Sequence, residues 1–371
     1  MADFLAAITK AEQGERLTQS ELEVLLGAAD PASEERLRRC AYAKKLAEVG
    51  NKVYLRGLIE FSNFCRCDCL YCGIRKSNPH PRRFCLSLDE IVAAADFAWQ
   101  NNYGSVVLQS GERRDDAAVE FVGQAVRAIV QHSRGELGIT LSCGEVGVDA
   151  YKYWRSCGAE RYLLRIESSN PKLFARIHPP EIRFDDRMKS LYELREAGFI
   201  VGSGVMIGLP GQTLADLAGD LEFFRKMDLD MVGMGPFLSQ AQAPLRDPDQ
   251  RPEHLEARFH LALRMISLAR LHLCGVNIAS TTALQTLHPD SGREQGLRYG
   301  ANVIMPNVGN LEHRRDYRLY DHKFDLDENA EASRQNLQKN LAAIGEEIAA
   351  KSRGNPPHYY LRTANAAGQK A

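Results

Sequence analysis

Eight short segments rich in β-branched and apolar residues alternate with helical patterns along the middle of the chain. Glycine or polar residues bound each segment, as they commonly bound strands in α/β proteins. The eight predicted strands are residues 55–63, 105–112, 138–143, 161–167, 200–208, 231–237, 276–283 and 302–307. Eight alternations over about 250 residues match a closed (β/α)8 TIM barrel. Alternation alone does not show closure, so a doubly wound open sheet is the alternative.

Helical patterns lie between these strands and at both ends of the chain. Thr18 with Glu21, and Ser87 with Glu90, have the spacing of a helix-capping box. The predicted helices are 33–49, 88–100, 117–132, 187–197, 214–227, 255–273 and 328–351. We therefore expect an N-terminal helical extension (1–50), a barrel (51–320) and a short helical C-terminal tail (321–371). The Gly-Asn-Pro-Pro segment at 354–357 is expected to be loose.

Charge and hydropathy exclude several classes of partner. The formal net charge is −1 over 371 residues, so no overall field favours nucleic acid or an anionic membrane surface. The first residues carry charge within their apolar stretch and predict a short amphipathic helix, unlike a signal peptide. No segment approaches the roughly 18 uninterrupted apolar residues of a membrane span. We expect a soluble, cytoplasmic protein.

Four of the nine cysteines lie within eight residues, directly after the first predicted strand. Cys65, Cys69 and Cys72 have the spacing C-x3-C-x2-C, which places three thiolates on one short loop. An iron–sulfur cube has four irons, so three thiolates leave one iron free to chelate the amino and carboxylate groups of a ligand. The aromatic Tyr71, just before the third cysteine, suits packing beside adenine. The loop therefore predicts a radical S-adenosylmethionine (SAM) enzyme with a [4Fe–4S] cluster.

A zinc site or a set of buried core thiols is the alternative interpretation of this loop. Structural zinc closes its coordination with a second Cys or His pair at recognisable spacing, and no such pair is evident. No cysteine follows Cys274 in the sequence. Cys67 offers a second register, C-x-C-x-C, but is interpreted as a bystander. Packing or surface roles are expected for the remaining cysteines, which are Cys40, Cys85, Cys143, Cys157 and Cys274.

From about residue 50 to 320 the sequence resembles the HydE maturases of [FeFe]-hydrogenase. The resemblance begins with Gly-Leu-Ile-Glu-Phe-Ser-Asn at 57–63, which leads into the cysteine motif. It continues through the blocks at 107–112, 161–167, 208–213, 230–237, 281–283 and 300–307. The cysteine motif is common to a whole superfamily, whereas the later blocks together are more selective. Most of them fall at the carboxyl ends of predicted strands, where barrel enzymes build their sites.

The resemblance implies two sets of site residues. The cofactor set, which would contact SAM, is Tyr71, Gln109, Ser110, Gly111, Glu167, Arg187 and Tyr317. The substrate set is Thr140, Arg161, Arg165, Thr281, Thr282, Met305 and Tyr320. The loop at 208–211 is expected to pack on the adenine or on the cluster. An arginine suits the carboxylate of SAM, and a glutamate suits its ammonium group or ribose hydroxyls.

Arg161 and Arg165 alternate on one predicted strand, so they would point inward together. Two arginines inside a barrel require an anion, which suggests a charged substrate. The alternative is a structural ion pair with Glu145 or another carboxylate.

The resemblance also implies a reaction and partners. The family is thought to act at sulfur on a small iron–carbonyl–cyanide–cysteine complex, on the route to the dithiolate bridge of the hydrogenase cluster. The maturases HydG and HydF and an electron donor would then be partners. Some members bind a second cluster through C-terminal cysteines, which this sequence lacks, so a single cluster is predicted. The alternatives are a lysine mutase like methylornithine synthase, another enzyme of the biotin synthase group, and a non-catalytic cluster carrier.

Overall fold

The computed structural model describes residues 2–324 and 330–368 and contains one mainly parallel sheet. Its strands are β1 Lys52–Ser62, β2 Ser105–Ser110, β3 Gly138–Ser142, β4 Arg161–Leu163, β5 Ile200–Ser203, β6 Met206–Ile207, β7 Met231–Pro236, β8 Asn277–Ser280, β9 Val303–Ile304 and β10 Glu347–Ile348.

The sheet closes on itself. Each of β1, β2, β3, β4, β5, β7, β8 and β9 pairs in parallel with the next, and β9 pairs with β1 through Tyr54↔Val303 and Leu55↔Ile304. The predicted (β/α)8 barrel is therefore confirmed, and the open doubly wound sheet is excluded. β6 pairs with the end of β7, and β10 extends the sheet beside the start of β1. The carboxyl ends of all barrel strands meet at one end of the barrel.

Helices surround the barrel. They are α1 Ala2–Glu12, α2 Gln19–Gly27, α3 Pro31–Val49, α4 Leu88–Gln100, α5 Asp116–His132, α6 Val148–Cys157, α7 Pro171–Ile177, α8 Phe184–Glu196, α9 Leu214–Lys226, α10 Pro252–His272, α11 Thr282–Leu287, α12 Gly292–Arg298, α13 Leu311–Arg314, α14 Ala330–Ala343 and α15 Pro357–Gly368. Both predicted capping boxes, at Thr18 and at Ser87, are present. None of the helices within the described ranges is long and apolar enough to cross a membrane.

The N-terminal helices share the core of the barrel. Ile8, Leu25 and Leu37 are fully buried in the same apolar cluster as the barrel strands. Two buried ion pairs join this region to later elements: Glu34 Oε2 with Arg264 Nη1 at 3.0 Å, and Lys45 Nζ with Glu346 Oε1 at 2.6 Å. The extension is thus fixed on the barrel by apolar burial and by charges that have partners.

The prediction that residues 354–357 are loose is wrong, because this segment closes the amino end of the barrel. The carbonyl oxygen of Gly354 accepts hydrogen bonds from Arg56 Nη2 at 3.3 Å and Asn277 Nδ2 at 2.7 Å. Asn355 Oδ1 accepts from Arg161 Nη1. Arg56 and Arg161 are buried, and buried donors need acceptors, which the tail supplies.

The predicted helix 328–351 also requires correction. Its first residues, 328 and 329, lie outside the described residues. The helix α14 ends at Ala343, and the chain then forms β10, in which Glu347 and Ile348 pair with Lys52 and Val53. Pairing with the exposed start of β1 satisfies backbone groups that a longer helix would leave open.

Four predicted strands end at least three residues early at the carboxyl end of the barrel, and one of them is the predicted strand 302–307, which ends at Ile304 as β9. β4 stops at Leu163, the predicted strand 200–208 divides into β5 and β6, and the predicted strand 276–283 gives way to α11 after Ser280. The residues that leave the ladder at these points are the ones that surround the candidate site.

Candidate active site

The cysteine loop (residues 63–86) joins β1 to α4 at the carboxyl end of the barrel. Cys65, Cys69 and Cys72 are free thiols there and each is partly exposed. The loop is fixed by backbone hydrogen bonds to other elements: Arg66 N to Glu112 O at 2.8 Å, Leu70 N to Ile177 O at 3.0 Å, and Gly73 N to Leu319 O at 3.0 Å. Three thiols are thus held on a rigid loop.

Arg83 supports the loop from within. Its guanidinium donates to five backbone carbonyls, including those of Asn63 at 2.6 Å and Ile74 at 2.8 Å. Asp68 adds a second tie, because its carboxylate accepts from Ser77 N at 3.1 Å and pairs with Arg75 at 2.8 Å. A cation among carbonyls beside the cysteines also offsets the negative charge of a bound thiolate cluster.

Gly111 allows the end of β2 to approach the cysteine loop. A Cβ at this position would lie 2.4 Å from the Phe64 carbonyl oxygen and 2.7 Å from Cys65 Cβ. The neighbouring amide of Glu112 donates to Cys65 Sγ at 3.4 Å. Amide donors of this kind stabilise thiolate ligands of iron–sulfur clusters.

Tyr71 faces a small apolar cluster beside the cysteine loop. Leu173, Ile177, Leu209 and Phe237 form this cluster, and Tyr71 packs against it. Leu209 belongs to the predicted loop 208–211, so that loop does approach the cysteine loop.

His178, which sequence reasoning missed, makes an edge contact with the Tyr71 ring, with centroids 5.5 Å apart. Burial, together with the nearby positive charge of Arg187, lowers the pKa of His178 to about 3. The imidazole is therefore neutral at pH 7.

Glu167 and Arg165 form a bidentate ion pair above the end of β4. Arg165 Nε and Nη2 donate to the two Glu167 carboxylate oxygens at 2.8 and 2.9 Å. Burial alone lowers the pKa of Arg165, but the Glu167 carboxylate raises it overall, so the guanidinium stays charged. Glu167 has φ 63°, a left-handed conformation that is unusual for a residue other than glycine. Strained backbone of this kind is typical of functional sites.

Arg187 also has a carboxylate partner. Its Nε pairs with Glu145 Oε1, and its Nη1 donates to the Arg165 carbonyl. Glu145 in turn accepts from Arg114 Nη2 at 3.0 Å. This series of contacts, from Arg114 through Glu145 and Arg187 to the Arg165 carbonyl, is mostly buried. The sequence suggests Glu145 only as an alternative partner of Arg161 and Arg165.

Gln109 and Tyr317 meet across the mouth of the barrel. Gln109 Nε2 donates to Tyr317 Oη at 3.4 Å, and Ser110 Oγ donates to the Gly111 carbonyl at 2.8 Å. Beside them lies a buried ion pair that the sequence did not suggest, Glu60 Oε1 with Lys323 Nζ at 2.6 Å.

The predicted substrate residues are divided between the two ends of the barrel. Thr281 precedes the first residue of α11 at the carboxyl end of the barrel, and its side chain does not cap the helix. Its buried hydroxyl has no hydrogen-bond partner within the described part of the chain. Thr282 follows it, and the partly buried Tyr320 lies near Arg165. Thr140 and Met305 line a small cavity of about 30 Å³.

Arg161 does not reach the carboxyl end. It is the first residue of β4, it is fully buried at the amino end, and its Nε donates to Thr140 Oγ1 at 3.1 Å. Arg161 and Arg165 are therefore separated along the barrel axis, which corrects the expectation that both face one substrate. The predicted alternative was a structural ion pair of these arginines with Glu145 or another carboxylate. Both arginines do have a carboxylate partner, since Arg165 pairs with Glu167 at 2.8 Å and Arg161 with Glu160 at 3.2 Å. Glu145 pairs with Arg187 instead.

The donor set fits the implied cofactors. The three loop thiols suit iron, and the adjacent amide and Arg83 suit the negative charge of a cluster. The apolar cluster beside Tyr71 offers a face for an adenine ring, and the charged residues Glu167, Arg165 and Arg187 suit a zwitterion. All of these groups converge at the carboxyl end of the barrel.

Comparison with known proteins gives the family. Residues 59–224 match the radical SAM superfamily. The chain is similar to the [FeFe] hydrogenase maturase subunit HydE of Thermotoga maritima, with 38% identity over 91% of this chain and 93% of that protein. It is also similar to 3-methylornithine synthase of Methanosarcina acetivorans, with 26% identity over 83% and 85%. In fold it resembles the crystal structure of methylornithine synthase, with a TM-score of 0.78, 23% identity, and coverage of 93% of this chain and 98% of that one.

The superfamily match covers the cysteine loop and the strands up to α9, which carry most of the candidate site. The similarity to HydE extends over nearly the whole of both chains. The chain is a radical SAM enzyme and belongs to the HydE family of [FeFe]-hydrogenase maturases.

Proposed function

We propose that the protein cleaves SAM at a single [4Fe–4S] cluster bound by Cys65, Cys69 and Cys72, and acts on a small sulfur-containing iron complex in hydrogenase maturation. The observation that carries the proposal is the rigid three-thiol loop at the carboxyl end of a closed barrel. When bound, the reduced cluster supplies one electron to SAM, and the cleavage yields methionine and a 5′-deoxyadenosyl radical.

The residues of the chain then have distinct roles. Tyr71 and the apolar cluster beside it receive the adenine, while Gln109, Ser110 and Gly111 face the rest of the cosubstrate. Glu167 and Arg187 orient its charged groups, and Tyr317 positions Gln109. The closed barrel wall excludes water from the radical.

Thr140, Arg165, Thr281, Thr282, Met305 and Tyr320 remain the proposed substrate contacts. The unpartnered Thr281 hydroxyl supports this role, because a polar ligand would satisfy it. The substrate is proposed to be an iron–carbonyl–cyanide complex of cysteine, with HydG and HydF as partner maturases. The 38% identity to the Thermotoga HydE supports a role in hydrogenase maturation.

A mutase acting on lysine is the second candidate, supported by the similarity to 3-methylornithine synthase. The test is anaerobic reconstitution followed by dithionite reduction with SAM. A radical SAM enzyme forms 5′-deoxyadenosine and methionine, whereas a cluster carrier forms neither. Cys69→Ala is expected to abolish this cleavage. Formation of methylornithine from added lysine would favour the mutase, and consumption of the iron complex favours the maturase.

A further inference from the structure

The cysteine loop is basic although the whole chain is nearly neutral. Residues 64–83 contain five arginines and lysines and one aspartate, whereas the complete chain has a formal net charge of −1. Arg75 is neutralised by Asp68 at 2.8 Å, and Arg83 is turned towards backbone carbonyls. Arg82 pairs with Glu312 at 3.2 Å and with Asp316 at 3.3 Å, so Arg66 and Lys76 carry the remaining positive charge of this segment, and both are exposed.

Three exposed cations lie around the cysteines. Arg66 follows Cys65, and its side chain is 38% exposed although it pairs with Glu112 at 2.8 Å. Lys76 and Arg318 are exposed, and neither forms an ion pair with any residue in 2–324 or 330–368. Arg318 instead donates from Nε to the Arg315 carbonyl at 3.0 Å. Unpaired surface cations are available to an external anion.

These cations are fixed to the loop that carries the thiols. Lys76 N donates to the Cys67 carbonyl at 2.8 Å. The Arg318 backbone packs on Gly73, where a Cβ would lie 1.9 Å from its carbonyl oxygen. Phe64, directly before Cys65, adds an aromatic ring that is 42% exposed. We call Phe64, Arg66, Lys76 and Arg318 the loop face.

We propose that the loop face is the docking surface for an acidic one-electron carrier protein that reduces the cluster. The inference rests on the proposed function, which requires an electron from outside the chain. One electron leaves the carrier, which is oxidised, and enters the cluster, which is reduced, with no change of protons or atoms. Electron transfer weakens steeply with distance, so the carrier must dock where the cluster comes nearest to the surface.

The chemistry of the loop face fits such a partner. An exposed aromatic ring among cations is typical of an interface with an apolar centre and a charged rim. Complementary rim charges accelerate encounter and lose their effect as salt screens them. A nucleic acid is a poorer fit, because the formal net charge of the whole chain is −1.

The test compares two reductants on the reconstituted holoenzyme. The variant is Lys76→Glu with Arg318→Glu, and the matched control is Lys152→Glu with Lys189→Glu, two exposed lysines on α6 and α8. A reduced acidic ferredoxin or dithionite supplies electrons, and the initial rate of 5′-deoxyadenosine formation is measured at low and high salt. We expect the loop-face variant to lose about tenfold in the ferredoxin-driven rate at low salt. The dithionite-driven rate, the iron content and the control variant should change less than about twofold.

An unchanged ferredoxin-driven rate in the loop-face variant would overturn the docking proposal. An equal loss with both reductants would overturn it too, since the substitutions would then act on the cluster. If the unsubstituted protein forms no 5′-deoxyadenosine even with dithionite, the proposed function itself fails.

Discussion

At the scale of single residues, the site depends on close approach and on buried charge. Gly111 lies against the Phe64 carbonyl, and Glu167 adopts a left-handed backbone to face Arg165. Both features fix side chains of the carboxyl end relative to the cysteine loop. Neither glycine packing nor a positive φ at a glutamate is visible in a hydropathy pattern.

Gly111→Ala is expected to displace the cysteine loop, because its Cβ would lie 2.4 Å from a backbone oxygen. Overpacking of this kind costs about 1–3 kcal/mol of unfolding free energy. Iron bound after reconstitution and the urea midpoint measure the effect. Gly219→Ala is the control. Gly219 lies in α9, and an added Cβ there would meet no atom nearer than 3.8 Å. That variant should be as stable as the parent or up to about 1 kcal/mol more stable. Full iron binding by Gly111→Ala would contradict the proposed packing.

Asp220 is a buried acid beneath the Glu167 turn. Its Oδ1 accepts from Ser169 N at 2.6 Å, whereas Oδ2 has no hydrogen-bond partner among the residues described. Burial raises the pKa of Asp220 from 3.8 to about 7. The folded protein therefore retains a proton that the unfolded chain releases between about pH 4 and 7.

The unfolding free energy should consequently fall as pH rises through that window, by up to about 1.4 kcal/mol per pH unit. Asp220→Asn removes this contribution, so the variant should gain stability relative to the parent between pH 5 and pH 8. Urea unfolding at the two pH values checks the sign. Parallel pH profiles for parent and variant would show that Asp220 is ionised in the folded protein.

At the scale of elements, the C-terminal tail has a structural role that the sequence did not reveal. Its Gly-Asn-Pro-Pro composition predicted a loose segment, yet Gly354 and Asn355 satisfy buried donors at the amino end of the barrel. The need for those acceptors arises from Arg56 and Arg161, which are distant in sequence. Local turn signals carry no information about such partners.

Asn355→Ala should destabilise the protein because the buried Arg161 Nη1 then keeps only Glu160 Oε2 as an acceptor. The expected loss is about 0.5–1.5 kcal/mol of unfolding free energy. SAM cleavage by the folded variant should be unchanged, since the cysteine loop lies at the opposite end. Asn51→Ala is the matched control, because its hydrogen bond to the Gly345 carbonyl is exposed and should matter by under about 0.5 kcal/mol. Equal losses in the two variants would argue against a structural role of the tail.

The order of strands and the principal helices could be predicted from apolar periodicity, as α4 and α9 illustrate. The carboxyl ends of the strands could not be predicted in this way. β4 and β8 end where residues of the candidate site adopt other backbone conformations. The cysteine loop was evident because its spacing is local. The network of Glu145 with Arg187, and His178 beside Tyr71, arises only from tertiary contacts.

At the scale of the whole molecule, the barrel has a sealed end and a functional end. The tail, Arg56 and Arg161 close the amino end, while the cysteine loop, α7, α11 and α13 surround the carboxyl end. The N-terminal helices stabilise the wall through the shared core. Under the proposed function, this division would keep the radical in a closed space and leave the cluster accessible at the carboxyl end.

The most direct measurement is the electron paramagnetic resonance spectrum of the anaerobically reconstituted, reduced protein, recorded before and after addition of SAM. If three thiolates leave one iron open, SAM binds that iron and the signal of the [4Fe–4S]⁺ cluster changes. A cluster signal that SAM leaves unaltered, as expected for ligation by four cysteines, would contradict the account.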